Sequence, residues 1–405
     1  MKIALLSFEY PPETGFGGIG TYTWYHARAL VKLGHQVHVL AGATEPCALR
    51  TTEHDGVFVH RFRANDLVTK FSDLFGKFRC YWTRQRIGNA WCMYLGLKQL
   101  MKLHTFDIVE MPECGAEGSL INALLNIPTI VRFHSPSRLI MEFYDVPKAD
   151  IAMCSWVEQI AIDYATSLTS CSAFLADEVR TKMGIARNID VIANGIDLPL
   201  FDQEPIADLT ERYGVPRGQV TILFAGRMER RKGIHLCAEI VETILSRHDV
   251  TFLFAGEDIF GYVENTLKPA LEGKQLFGSF RYLGKLDFKQ LRAAARAVDI
   301  YLLPSLWENC PYSCLEAMAS GRAIVCSDQG GMPELIQHGI SGLLAQSEIP
   351  ASYVAQLSRL IEDPNLRRTL GAAARTSVEQ NFTDTTIAER TVDAYRKCLT
   401  RRQSS

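Results

Sequence analysis

The sequence predicts an α/β protein made of two doubly wound, parallel-sheet domains that face a cleft, followed by C-terminal helices. Three observations predict it. Short apolar runs alternate with longer helical patterns in two successive series, a helix-poor stretch separates the series, and 405 residues suffice for two domains that each bury a core. Composition agrees, with 47% hydrophobic and 22% charged residues, as in soluble globular proteins. The 43 Lys and Arg against 45 Asp and Glu leave a formal net charge of -2, so there is no global attraction to nucleic acid and any anion site must be local.

The first series runs KIALLSF, a helix over Thr21 to Leu33, QVHVLA, DIVEM, PTIVRF, SLTSC and IDVI. After Ile192, the stretch ANGIDLPLFDQEPIADL, with Gly195, Pro199 and Pro205, reads as a linker. The second series runs VTILFAG, a helix over Ile234 to Arg247, VTFLFAG, RYLG, DIYLLPS, a helix near Tyr312 to Ser320, AIVCS and GLLA. From Pro364 onward, two amphipathic helices end in the polar tail TRRQSS. The start, MKIALLSFEYPPE, is too short an apolar run for a signal peptide, and no segment approaches a bilayer span. Eleven cysteines without a C-x-x-C pair or a His cluster at metal spacing read as reduced thiols, which points to the cytoplasm.

Ligands of such sheets bind beyond the carboxyl ends of strands, so the loops there carry the candidates. Gly15, Gly17 and Gly20 of GFGGIG satisfy G-x-G-x-x-G before a helix, but the loop starts too far past the strand and no acid ends the second strand, which argues against a nicotinamide site. Phosphate or sugar contact through helix-start amides, or a plain turn, are the two readings left. Arg227 and Lys232 in GRMERRKG place two cations after a strand and before a helix, suited to a diphosphate leaving group, whereas Arg230 and Arg231 read as solvated. In WENCPYSCLEAMASG, Pro311 suits a helix start, and the amides of Tyr312, Ser313 and Cys314 would face an anion. Glu308 stands in the loop before that helix and Glu316 in its second turn, placed to accept hydroxyls, or else as exposed acids flanking an ordinary helix start. His134 ends a strand beside Pro136 and is either structural or a donor to a transferred sugar. Gly330 and Gly331 open another loop, where Glu334 is a cap or a contact. Between Lys70 and Arg86, aromatic residues (Phe71, Phe75, Phe78, Tyr81, Trp82) alternate with Lys77, Arg79 and Arg84; this face suits core packing with a basic rim, an acceptor site or an anionic membrane.

Taken in order, EYPPETGFGGIG, RFHS, VIANGID, AGRMERRKG, LLPSLWENCPYSCLEAMASGRAIVCSDQGGMPELI and SGLL resemble the family-4 retaining glycosyltransferases (glycosyltransferase group 1) over nearly the whole chain. The resemblance implies the GT-B fold, with an acceptor-side Rossmann-like domain at 1–200, a nucleotide-sugar domain at 201–380, and a helix at 381–405 that packs back on the first domain. It implies Gly17 and Gly18 near the donor phosphates, Arg227 and Lys232 on the diphosphate, Tyr312, Ser313 and Cys314 beside it, Glu316 on the ribose, and Glu308 and His134 near the donor sugar. One departure stands out: Asn309, Cys310 and Pro311 occupy places where many members carry Phe and Gly. The implied activity is transfer of a hexose-type sugar from a nucleotide-diphosphate sugar to a glycan, glycolipid or small-molecule hydroxyl, with retention and without a metal or other cofactor. Alternatives are a nucleotide-sugar epimerase and a non-catalytic nucleotide-sugar-binding subunit.

Overall fold

In the computed structural model, the residues described are 1–15, 17–68, 70 and 79–403. The chain divides into two units, Met1–Gly195 with Asp384–Ser405, and Ile196–Thr383.

The first unit holds β1 (Lys2–Ser7), β2 (Gln36–Ala41), β3 (Cys47–His54), β4 (Val57–Arg63), β5 (Ile108–Pro112), β6 (Thr129–Phe133), β7 (Ser167–Ser170) and β8 (Ile189–Val191) in one sheet of order β3-β4-β2-β1-β5-β6-β7-β8. All neighbours are parallel except β3 and β4, a hairpin closed by Asp55 and Gly56, both at positive φ. No apolar run marks β3 because it is an exposed, polar edge strand, whereas the buried β4, VFVHRFR, is a strand that sequence reasoning missed. Parallel strands covered on both faces read as unbroken apolar runs, and β5 and β6 are buried at every residue. Helix α1 (Gly18–Lys32) packs Ala27 and Leu30 against Ile3, Leu5, Val37 and Val39. The long helix α2 (Tyr81–Leu100) also covers the sheet, with Met93 and Leu97 buried. The C-terminal helix, Asp384–Gln403, belongs to this unit, where Ala388, Val392, Tyr395 and Cys398 complete the same core as Ile3 and Leu5.

The second unit is an all-parallel sheet of order β11-β10-β9-β12-β13-β14, made of β9 (Val220–Ala225), β10 (Val250–Ala255), β11 (Phe280–Gly284), β12 (Ile300–Leu303), β13 (Ala323–Ser327) and β14 (Leu343–Ala345). Its core includes Ile222, Phe224, Phe252 and Phe254, with the rings of Phe224 and Phe254 stacked at 5.0 Å. Helices α3 (Ile234–Leu245), α4 (Phe288–Ala297) and α5 (Tyr312–Ala319) follow β9, β11 and β12, so each strand's carboxyl end feeds a helix start. This places the sequence motifs of this unit along one edge of the sheet.

Candidate active site

After β9, the loop turns through Gly226 and Arg227, buries Met228 and Glu229, and makes one 3-10 turn, Arg230–Lys232, before α3. Gly233 ends that turn at φ +76, and a Cβ there would lie 1.9 Å from the Pro304 carbonyl oxygen, so only glycine allows the loop to lie against the end of β12. The turn aims Arg231 and Lys232 at Glu308. Lys232 Nζ donates to Glu308 Oε1, and Arg231 Nη1 donates to the same oxygen at 3.1 Å and to the Trp307 carbonyl at 3.2 Å. Arg231 Nη2 pairs with Glu229 Oε1 at 2.7 Å, and Arg227 Nη2 meets that oxygen at 3.2 Å. Arg227, Glu229, Arg231, Glu308 and Lys232 therefore form one alternating chain of charges. Arg231, expected to be solvated, is buried at its centre; a run of adjacent cations gives no direction to any one of them, and the 3-10 turn supplies it. Burial raises the Glu308 pKa, but the charges of Lys232 and Arg231, with hydrogen bonds from Lys232 and Ser305, bring it below the usual carboxylate range. Burial lowers the pKa of Lys232 against the opposing pull of Glu308.

Pro311 caps α5 without a side-chain cap, so the helix start is a natural anion site. Of the three amides expected to face a ligand, that of Cys314 already donates to the Pro311 carbonyl at 3.1 Å, and its thiol is fully buried. The Cys314 amide thus has an internal partner, and Tyr312 and Ser313 precede it at the helix start. Glu316, one turn on, is buried, and desolvation raises its pKa to about 7 against the charge of Arg292 on α4. Gly330 sits at φ +70 where a Cβ would lie 2.3 Å from the Glu308 carbonyl oxygen, and the Gly331 amide donates to that oxygen at 2.8 Å. The loop after β13 thus holds the backbone of Glu308.

In the first unit, Gly17 caps α1 and Gly18 begins it. A Cβ on Gly18 would meet nothing within 4 Å, whereas one on Gly17 would lie 2.2 Å from Glu9 Oε2. Gly17 therefore makes room for the Glu9 carboxylate, and Gly18 leaves open space. His134 follows β6, with its amide donating to both Glu113 carboxylate oxygens at 2.9 and 2.8 Å and the Ser135 amide adding a third bond at 2.5 Å. Burial and the charge of Glu158 raise the Glu113 pKa to about 8 despite these donors. The His134 ring packs on Tyr22 at 4.9 Å, and burial with the charges of Arg132 and His26 pushes its pKa well below the usual range, so the imidazole is neutral. Tyr22 donates to Glu110 at 2.7 Å, as does Tyr395 of the C-terminal helix at 2.8 Å, and the Arg132 guanidinium lies 4.2 Å over the Tyr22 ring. Sequence reasoning missed Glu9, Glu110, Glu113, Arg132 and Tyr395. Glu9, Glu113 and Arg132 lay at or just past the carboxyl ends of β1, β5 and β6, where a search could have found them.

Two family models match the chain, Glycosyltransferase Family 4 over residues 16–199 and Glycosyl transferases group 1 over residues 219–363. The chain belongs to the family-4, group 1 glycosyltransferases. An alpha-maltose-1-phosphate synthase of Mycobacterium tuberculosis is 29% identical over 419 residues, covering 98% of this chain and 99% of its own. A sucrose-phosphate synthase from Thermosynechococcus elongatus shares the fold with a TM-score of 0.79 at 21% identity, over 98% of this chain and 99% of its own. HepE of Anabaena, solved in complex with UDP-glucose, aligns at a TM-score of 0.70 and 18% identity, over 98% of this chain and 100% of its own. The fold of this glycosyltransferase is GT-B.

Among the described residues of the glycosyltransferase, no group of three or more His, Cys, Asp or Glu is arranged to hold a metal, and no helix is long and apolar enough to cross a membrane. Of the stretch Lys70 to Arg86, the residues Phe71, Phe75, Lys77 and Phe78 lie outside the described residues. Tyr81 and Arg84 are exposed, but Arg86 is buried, donating to Glu158 at 3.1 Å and to Ser137 Oγ at 3.0 Å. Arg86 therefore leaves the basic rim and joins the core, because a buried carboxylate partner outweighs solvation of the guanidinium.

Proposed function

We propose that this glycosyltransferase moves a hexosyl unit from a nucleotide-diphosphate sugar to an acceptor hydroxyl with retention of configuration and without a metal. The observation that carries the reading is the alternating charge chain centred on Glu308, which sits beside the uncapped start of α5. Arg227, half exposed at its side chain, and Lys232, which has two further ammonium protons beyond the one given to Glu308, offer donors to the departing diphosphate. The Tyr312 and Ser313 amides add the helix dipole. Glu316 accepts from the ribose hydroxyls, and ionised Glu308 accepts from hydroxyls of the donor sugar. Neutral His134 donates one hydrogen bond to that sugar without placing a second cation beside a developing oxocarbenium. No carboxylate is assigned as a nucleophile. The diphosphate leaves and assists deprotonation of the acceptor hydroxyl on the same face, while Arg227, Lys232 and the helix start stabilise its charge. HepE was solved with UDP-glucose, so UDP-glucose is the first donor to test.

The test is incubation with UDP-, ADP- and GDP-glucose and a panel of sugar acceptors, with and without EDTA, with the product's anomeric signals read by NMR in the first minutes. An α-linked product formed equally in EDTA is expected. A β-linked product, or transfer that stops in EDTA, would overturn the reading.

A further inference from the structure

A cavity of about 450 Å³ opens in the first unit, lined by none of the residues assigned to the donor site. One wall lies at the carboxyl ends of parallel strands: Phe8 follows β1, and Arg63 ends β4. The other wall is one face of α2, with Tyr81, Arg84, Gly88 and Asn89 at helical spacing. Ligands of parallel sheets bind at this edge, and His134 follows β6 at the same edge of the same sheet.

Its lining is selective in charge. Arg63, Lys70 and Arg84 contribute three cations, and no acid lines the cavity among the described residues. Arg63 Nη1 donates to the carbonyls of Ala43 and Thr44, so backbone dipoles orient the guanidinium without neutralising it. Side-chain amides, that of Asn89 included, supply donors and acceptors suited to hydroxyls. Gly88 adds an independent observation. It lies in the interior of α2, where glycine weakens a helix relative to alanine, yet a Cβ there would meet nothing within 4 Å. No close packing requires this glycine, and its effect is to keep the cavity wide.

We propose that this cavity seats the acceptor, and that the acceptor is a sugar or polyol bearing a phosphate ester held by Arg63 and Arg84. Lys70 adds charge at the rim. The inference rests on the glycosyl-transfer reading for the word acceptor, but the binding site stands on its own geometry. The phosphate belongs either to a soluble sugar phosphate or to a lipid headgroup of the same chemistry.

The experiment measures binding to the full chain without donor, by calorimetry. The probes are glucose 1-phosphate, glucose 6-phosphate and inositol 1-phosphate, the neutral parents glucose and inositol, and vesicles of phosphatidylcholine with or without phosphatidylinositol. At least one phosphorylated probe is expected to bind 100-fold or more tightly than its neutral parent. Arg84→Gln and Arg63→Gln are each expected to weaken it 10-fold or more, and Gly88→Leu to abolish it by filling the space. Binding confined to phosphatidylinositol vesicles, and lost in Arg84→Gln, would support the site and assign the phosphate to a lipid. Equal binding of neutral and phosphorylated probes, or unchanged binding in both arginine variants, would overturn it. Thermal shift by UDP, ADP or GDP is read in parallel on every variant. Loss of that shift in Gly88→Leu marks misfolding, and Arg84→Gln then decides; absence of any shift in the unmodified chain defeats the glycosyl-transfer reading and leaves the pocket to its own result.

Discussion

Replacing Lys232 with Met removes one of two cations from a single carboxylate oxygen, and the structure sets the scale of the loss. Arg231 lies 3.1 Å from Glu308 Oε1 on the same oxygen that Lys232 contacts. A unit charge pair at that separation is worth about 5 kcal/mol gross at an effective dielectric near 20. Desolvation offsets part of this, and breaking a buried pair typically costs about 3–5 kcal/mol because the partner is left buried and charged. Arg231 still faces Glu308 in the variant, so the net loss should be smaller, roughly 2–3 kcal/mol. For a unit of this size, that lowers the unfolding midpoint by roughly 5–10 °C. Glu308→Gln should cost a similar amount, since Lys232 then loses the carboxylate it contacts and Arg231 keeps only Glu229. The double variant should therefore cost less than the two losses combined, by roughly 1–2 kcal/mol. Thermal unfolding of the four proteins measures the coupling, and initial rates at saturating donor measure the chemistry, where Lys232→Met should lower turnover on the order of 100-fold. Stability losses that simply add, to within about 0.5 kcal/mol, would show that the pair is not formed in solution. Unchanged turnover would remove Lys232 from the diphosphate.

Gly330→Ala, which puts a Cβ 2.3 Å from the Glu308 carbonyl oxygen at φ +70, should displace the Glu308 loop and lower kcat about 10-fold or more, given a strain of about 1–3 kcal/mol. The control is Gly339→Ala, at φ +75 with nothing within 4 Å, which should leave the kinetics intact; equal effects of the two would sink the idea. Glu316 has a folded pKa of about 7, raised above its ordinary value, so its contribution to stability is full below about pH 4.5 and is lost as pH rises through 7. Its ionised fraction rises from about a tenth at pH 6 to about nine-tenths at pH 8, so donor affinity should tighten up to about 10-fold across that interval, measured by titration with UDP-glucose. A slope that persists in Glu316→Gln would assign the titration elsewhere.

What could be read from the chain follows from burial. The strands β9 and β10 are covered on both faces, so VTILFA and VTFLFA stand out as apolar runs, and the glycines and prolines after them mark the turns. The edge strand β3 carries CALRTTEH with almost nothing buried, so no hydrophobic pattern marks it, although the Asp55-Gly56 pair was a hairpin signal. Glu308 and Lys232 were legible because each stands next to a strand end. Their direct contact, across 76 residues, was not. Tyr395 and Glu110, 285 residues apart, share a hydrogen bond that only the docking of the last helix creates. Arg231 shows the limit most plainly: its neighbours Arg230 and Lys232 have the same charge, and only backbone geometry decides which of the three is buried.

The charge chain shows how the proposed diphosphate site combines acids with bases. Three cations held alone in a half-buried loop would repel one another and lose hydration, and burial already lowers the pKa of Lys232. Glu229 and Glu308 stand between them, so three cations against two carboxylates leave one net positive charge that is fixed in position before any ligand arrives. An incoming diphosphate then meets dipoles and charges that need no reorganisation, which is the condition under which such contacts favour a transition state over the solvated ground state. Glu308 is the pivot of that arrangement. Its backbone is clamped by Gly330 and Gly331, and its side chain accepts from both Lys232 and Arg231. A loop that shifted Glu308 would therefore impair leaving-group stabilisation and sugar positioning together, so variants at Gly330 should mimic variants at Lys232 even though Gly330 carries no charge at all.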